Sequence, residues 1–221
     1  IAEKRPLETV KGICFSKNGI VIRTPDRPLI KDISALPFVD YSLFDVETYI
    51  EHTRPYVSDP LPIPREEVRA LPVNTARGCI YNCGFCYHVF RGEKYRFRSA
   101  DVVIAEVKSL IEKYSVNYIL FHDELTFFNK KQALEFAQRI LNENISFYWA
   151  ADCRGNLFQK EEDVEIIEQL RKAGCLGLAY SMESAEPEIL HAMNKRITVE
   201  QFSKQTQICK KGGLTVWTSL V

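Results

Sequence analysis

The sequence has no surplus of either charge. Its 29 Lys and Arg residues balance 29 Asp and Glu, so there is no global electrostatic case for a nucleic-acid or acidic-membrane partner. It has no apolar run near the ~20 residues that a membrane span needs. The opening IAEKRPLETVKG lacks a basic-then-apolar layout, so no secretory signal is expected. Histidine is scarce, and His52, His88, His122 and His191 stand apart from one another as structural residues. Disorder is excluded by 46% hydrophobic and 26% charged residues over 221 positions, a globular composition with enough chain for one ordinary core. Cysteine is present but unevenly spread. Cys79, Cys83 and Cys86 are clustered, while Cys14, Cys153, Cys175 and Cys209 are scattered. An odd number, partly clustered, in a chain too large to depend on disulfides points to a reducing, cytoplasmic compartment and a metal site.

Proline is concentrated, with seven of ten between Pro25 and Pro64. That stretch is expected to be an extended connector, anchored by Leu36, Phe38, Tyr41 and Phe44. Before it, GICFSKNGIVIR (12–23) joins two apolar runs through Asn18-Gly19, the signature of a β-hairpin with a type I′ turn. From residue 71 the pattern turns regular. LPVNTA (71–76), NYILF (117–121), ISFYWAA (145–151), LGLAYSM (176–182) and LTVWTSLV (214–221) are predicted strands. Helices are predicted from Ser99 to about Tyr114, from Asn129 to about Asn142 with Leu134, Ala137, Ile140 and Leu141 inward, and over 161–173 with Gly174 at its end. Pro187 opens a short helix that includes Leu190 and Met193 as packing residues, and Thr198 with Gln201 forms a capping box for the last. Strand-helix alternation of this kind demands parallel strands with right-handed crossovers, in a doubly wound sheet or a barrel. The last strand runs to the final residue, so a fragment of a longer protein is expected, divided as 1–70 (hairpin and connector) and 71–221 (core).

The chemistry lies in RGCIYNCGFCYH, residues 77–88. The spacing C-x3-C-x2-C directly follows a strand, and a loop of this length can wrap three thiolates around a soft metal centre. Gly78 and Gly84 permit tight turns. Three ligands leave a coordination position open for chemistry, whereas a structural site is closed. The closed alternative is zinc on Cys79, Cys83, Cys86 and His88.

With Phe85 before its last cysteine, this motif resembles that of the radical S-adenosylmethionine (SAM) superfamily. The resemblance implies an α/β fold, a partial (β/α)6 TIM-like barrel with the cysteine loop after its first strand; a sixth unit is absent here. It implies that Cys79, Cys83 and Cys86 hold three irons of a [4Fe–4S] cluster while the fourth iron binds SAM. Reductive cleavage then gives a 5′-deoxyadenosyl radical that abstracts hydrogen from substrate, with electrons from a donor such as flavodoxin or ferredoxin.

Further positions match the family. In FHDELTFF (121–128), Asp123 or Glu124 would bind the SAM ammonium; a solvated turn is the plainer alternative. In ADCRGN (151–156), Arg154 would meet the SAM carboxylate or a substrate anion, unless it is an exposed loop arginine, and Cys153 is expected to be a small buried residue. YSMESAEPEILHAMNK (180–195) resembles the G-x-E-S-x-x-P-E-x-L-x-x-M-x-K stretch of the branch that holds methylthiotransferases and cobalamin-dependent enzymes. There the acid, Glu183 here, contacts the SAM ribose, with Ser184 and Ser181 as companions. Phe85 and Tyr87 are the expected adenine neighbours. GEKYRFRS (92–99) is read as a solvated basic loop in preference to a contact for a phosphate-bearing substrate.

Residues 27–41, RPLIKDISALPFVDY, resemble the connector between a cobalamin-binding domain and the barrel in cobalamin-dependent members, although the D-x-H-x-x-G cobalamin motif is not in this chain. The resemblance therefore implies a core of a cobalamin-dependent methyltransferase or related C–H activating enzyme, with cobalamin used by the full-length protein. Two alternatives remain at this stage: a methylthiotransferase acting on RNA or protein, and a structural zinc-binding or interaction module.

Overall fold

A computed structural model describes residues 5–87 and 89–221. The described residues fall into two compact units, up to Asp32 and from Ile33 onward.

In the first unit, β1 (Cys14–Lys17) pairs antiparallel with β2 (Ile20–Arg23). Asn18 and Gly19 take φ of 54° and 78°, as the type I′ turn requires.

In the second unit the proline-rich stretch is less extended than the sequence suggested. Asp45 caps α1 (Val46–Thr53) by accepting from the Thr48 N–H. The helix fits between Pro37 and Pro55, and it buries Val46 and Ile50. Of the four expected anchors, Tyr41 packs on the core and its hydroxyl donates to the Pro72 carbonyl at 3.1 Å. Leu36 is half-buried, while Phe38 and Phe44 are exposed; the buried anchors are Ile33, Ile50 and Val57.

The main sheet has five parallel strands in sequential order: β3 (Ala70–Val73), β6 (Tyr118–Phe121), β7 (Tyr148–Asp152), β8 (Cys175–Ala179) and β9 (Thr215–Trp217). β4 (Ala76–Arg77) and β5 (Arg96–Phe97) form a separate antiparallel pair ahead of α2 (Ala100–Tyr114). The remaining crossovers are α3 (Lys130–Asn142), α4 (Asp163–Lys172), α5 (Pro187–Ala192) and α6 (Val199–Lys211). Sequential order without reversal decides between the two predicted architectures. A doubly wound sheet needs a switch in direction; this one curls one way, as a partial barrel does.

The local signals act where they were expected. Ser99 accepts from Val102, Asn129 from Gln132, and Thr198 with Gln201 forms a reciprocal capping box. Each cap satisfies helix donors that otherwise have no partner and contributes about 1 kcal/mol. Gly174 ends α4 at φ 89°, where a Cβ would overlap the Phe147 carbonyl.

The helices cover one face of the sheet. Trp149 is fully buried there against Phe121, Phe127 and Phe136 in edge-on contacts. α3 presents Ala133, Phe136, Ala137 and Ile140 to this core, not the predicted Leu134 and Leu141. Phe136 reaches the Trp149 ring, and that contact fixes the helix's rotation. The other face is lined by Tyr118, Leu120, Tyr148 and Leu176, and the segment carrying Val57, Leu61, Ile63 and Val68 packs on it. Trp217 Nε1 ties this floor by donating to the Asp59 carbonyl at 2.9 Å. The connector thus closes the interior of the barrel at the end opposite the strands' C-termini.

Candidate metal centre

The predicted first strand ends earlier than the sequence suggested, and the reason lies in the acidic pair after β6. Asp123 accepts from Thr75 N (2.8 Å), Thr75 Oγ1 (2.6 Å) and Ala76 N (3.0 Å). It thereby pulls these residues off the parallel ladder and into β4. Exposed Glu124 accepts from Gly78 N at 3.1 Å. Both acids therefore organise the start of the cysteine loop. Burial raises the Asp123 carboxyl, and its hydrogen bonds from Thr75, Ala76 and Thr126 act in the opposite direction.

The loop between β4 and β5 carries Cys79, Cys83 and Cys86, all free thiols. Gly78 enters it at φ 88°. Arg91 braces it, donating from Nε to Asn82 Oδ1 (2.7 Å) and from Nη1 to the Cys86 carbonyl (3.1 Å). The return strand is not the solvated basic loop expected for 92–99. The Tyr95 hydroxyl donates to the Leu125 and Thr126 carbonyls, and Arg98 forms a buried pair with Glu106 at 2.5 Å.

Arg154 is the principal charge near the thiols. It is 9% exposed, not a loop arginine in solvent. Its guanidinium lies over the Tyr81 ring at 3.9 Å, places Nη1 3.6 Å from Cys83 Sγ, and donates from Nη2 to the Lys195 and Arg196 carbonyls. Burial raises the Cys79 thiol and neighbouring Cys83 and Cys86 push it the same way, while the Tyr81 N–H and Arg154 lower it. Cys153 is the small buried residue expected, and burial holds its thiol protonated.

At the edge of β8, Glu183 is buried at φ 71° and pairs with Lys195 Nζ at 2.8 Å; each side chain is about 10% exposed. Ser184 Oγ accepts from Glu186 N, and Ser181 bonds Ser219 at 2.6 Å. Tyr180 is buried in the core and packs on Phe202. Phe85 and Tyr87 are exposed, and Lys195 Nζ lies over the Phe85 ring at 5.4 Å. Leu190 is buried and Met193 half-buried.

Two functional candidates escaped the sequence reading. One is Lys195. The other is Asp152, the last residue of β7. Trp149 and Ala151 face the helices, so strand alternation turns Asp152 to the barrel interior. Among the described residues its carboxylate accepts no hydrogen bond. Burial, with Asp123 nearby, raises it from 3.8 to about 6. The folded state therefore holds this proton more tightly than the unfolded chain, and stability falls as pH rises from about 4 to about 6. We expect Asp152→Asn to match the wild type near pH 4 and to exceed it by about 1–3 kcal/mol above pH 7. Urea denaturation at both pH values checks this; a gap that does not grow with pH would refute it.

Three free thiols on one loop, beside a buried cation and with no acid among them, suit iron–sulfur ligation. Among the described residues no three His, Cys, Asp or Glu side chains stand together as a site for one ion. A four-iron cluster places each thiolate on a different iron and so spreads its ligands wider than a single ion does. His88, the fourth donor of the zinc alternative, lies outside the described residues.

A sequentially ordered parallel half-barrel with a three-cysteine loop at its C-terminal edge defines a class, and sequence comparison names it. The profile of the radical SAM superfamily matches residues 73–221, and the chain belongs to that family of enzymes. Over its whole length it is 30% identical to an uncharacterized methyltransferase, PH0819, of Pyrococcus horikoshii, covering 44% of that protein. It is 27% identical to the anaerobic magnesium-protoporphyrin IX monomethyl ester cyclase of Rubrivivax gelatinosus, over 93% of this chain and 34% of the cyclase. The chain thus spans less than half the length of these relatives. Its fold matches that of the cobalamin-dependent SAM radical enzyme OxsB at a TM-score of 0.78 and 16% identity, over 100% of this chain and 30% of OxsB. It also matches the radical SAM methyltransferase TsrM from Kitasatospora setae at 0.63 and 18% identity, over 98% of this chain and 42% of TsrM. Among the described residues no helix is long and apolar enough to cross a membrane.

Proposed function

We propose that this chain is the core of a cobalamin-dependent, methyltransferase-like radical SAM enzyme, in which Cys79, Cys83 and Cys86 hold a [4Fe–4S] cluster. The observation that carries it is the free three-thiol loop at the C-terminal edge of the half-barrel. The methyltransferase names of relatives and the cobalamin in the matched structures support the branch. Residues 1–70 are read as the hairpin and connector that follow a cobalamin-binding domain, with 71–221 as the core. A flavodoxin or ferredoxin in a reducing cytoplasm would supply electrons.

When bound, the cluster would supply the electron that splits the SAM sulfonium into methionine and a 5′-deoxyadenosyl radical. The chain's own residues have separate tasks. Arg154 offsets the negative charge of the thiolates and stays close enough to meet a carboxylate. Glu124, exposed with one oxygen on Gly78 N–H, is better placed than Asp123 to accept from an ammonium, because three donors already occupy Asp123. Glu183 can accept from ribose hydroxyls while Lys195 holds it in place, with Ser181 and Ser184 beside it. Phe85 and Tyr87 offer exposed rings to adenine. The apolar floor of Leu61, Ile63, Tyr148 and Leu176 excludes water from one end of the interior, as a primary carbon radical requires.

Anaerobic reconstitution with iron and sulfide is the test. We expect a brown protein with about four irons per chain and an EPR signal altered by SAM. A colourless protein with one zinc would overturn the assignment.

A further inference from the structure

The turn that closes α5, Met193–Arg196, makes more links to the cysteine loop than packing of a short helix requires. The Gly84 N–H donates to the Met193 carbonyl at 2.7 Å, and Asn194 Nδ2 donates to the Asn82 carbonyl at 2.7 Å. The Lys195 ammonium lies over the Phe85 ring. The Lys195 and Arg196 carbonyls hold the guanidinium of Arg154, whose other end reaches Cys83 Sγ. Four residues of one turn therefore engage Asn82, Gly84 and Phe85 directly and Cys83 through one intermediary.

The turn is built for this at a cost. Asn194 and Arg196 take φ of 51° and 52°, a left-handed conformation that asparagine tolerates and arginine rarely adopts. Arg196 Nε donates to Asn194 Oδ1 at 3.0 Å. That bond turns the Asn194 amide so that its N–H2 faces Asn82. Lys195 in turn pairs with Glu183, which is also left-handed and is held by the Ser219 carbonyl and the Val221 N–H. The same turn thus joins the edge of β8 to the half of the loop that carries Cys83 and Cys86.

We propose that Met193–Arg196 is a clasp on the cysteine loop, with Asn194 and Lys195 as positioning residues that keep Cys83 buried and the loop against Glu183. This deepens the function proposed above, but the clasp itself needs no bound metal. Unclasped, residues 82–86 would keep, among the described residues, the Arg91 bonds, the Arg154 contact to Cys83 Sγ and the Cys86 N–H to Cys83 carbonyl bond, and Cys83 would open to solvent more often by local unfolding.

The test uses the metal-free full chain, with iodoacetamide alkylation of each cysteine followed by mass spectrometry. Asn194→Gly keeps the left-handed backbone and removes the amide. Lys195→Met removes the links to Glu183 and Phe85, and Lys195→Arg retains a cation. We expect Asn194→Gly and Lys195→Met each to speed alkylation of Cys83 about tenfold, the effect of ~1.4 kcal/mol in local opening, with Lys195→Arg near wild type. Cys175, on β8, and Cys209, on α6, are buried in the core and should be unaffected. Unchanged Cys83 reactivity in both variants would overturn the clasp, and so would equal acceleration at Cys175 and Cys209, which would mean general destabilisation. Failure of reconstitution alone would count against the cluster and leave this result standing.

Discussion

Cys83→Ala should leave a folded chain that no longer forms 5′-deoxyadenosine from SAM. Cys83 is buried, and among the described residues its side chain accepts a hydrogen bond from Arg154 Nη1 alone, at 3.6 Å. Arg154 keeps the Lys195 and Arg196 carbonyls and the Tyr81 ring after the change. The loss in stability should therefore be about 1 kcal/mol, ordinary for a small buried truncation. The chemical loss should be complete. Each of the three irons held by the chain needs its own thiolate, and the core thiols Cys153, Cys175 and Cys209 are no substitutes, because they are buried elsewhere. The checks are circular dichroism for the fold, iron content and EPR for the cluster, and chromatography for 5′-deoxyadenosine after reduction. Undiminished 5′-deoxyadenosine would remove Cys83 from the ligand set.

How much of this could be read in the sequence depended on the distance along the chain over which each signal acts. Asn18-Gly19, Ser99, Asn129, Gly174 and the Thr198–Gln201 pair act within one turn, and each does in the structure what its side chain and φ preference dictate. The three-cysteine spacing was equally local, and it gave the family. Non-local competition was not legible. Asp123 takes Thr75 and Ala76 out of the first strand from 48 and 47 residues away, an effect no periodicity encodes. Phe136 rotates α3 because Trp149 lies beneath it; Leu134 and Leu141 looked equally apolar in sequence. α1 was hidden by the prolines around it, although none lies between 38 and 54. At the site, the alternation in YWAAD could have marked Asp152 as facing inward. Lys195 stands at the final lysine of the motif matched by 180–195, but its role was not legible there, because its partners Phe85 and Glu183 become neighbours only when the half-barrel curls.

The charge beside the thiols leads to the second large effect. Arg154→Met should lower the reduction potential of the reconstituted cluster and slow SAM cleavage in step. A guanidinium against Cys83 Sγ stabilises the extra negative charge of the reduced state more than the oxidised one, so its loss makes reduction harder; hydrogen bonds to cluster sulfurs are an established lever on potential. A charged hydrogen bond of ~1.5–3 kcal/mol corresponds to roughly 60–130 mV for a one-electron couple, at 59 mV per tenfold. Arg154→Lys keeps the charge but loses the planar fork that spans Cys83 and two carbonyls, so its potential should fall between the two. Loosening of the loop is a separate cause, and Asn194→Gly isolates it, because that variant releases the Asn82 link and leaves Arg154 in place. EPR-monitored redox titration of the four proteins distinguishes these causes. The expected order is wild type and Asn194→Gly highest, Arg154→Lys lower, and Arg154→Met lowest. If Arg154→Met titrates at the wild-type potential, Arg154 does not act on the cluster, and its burial beside Cys83 serves only to hold the Lys195 and Arg196 carbonyls.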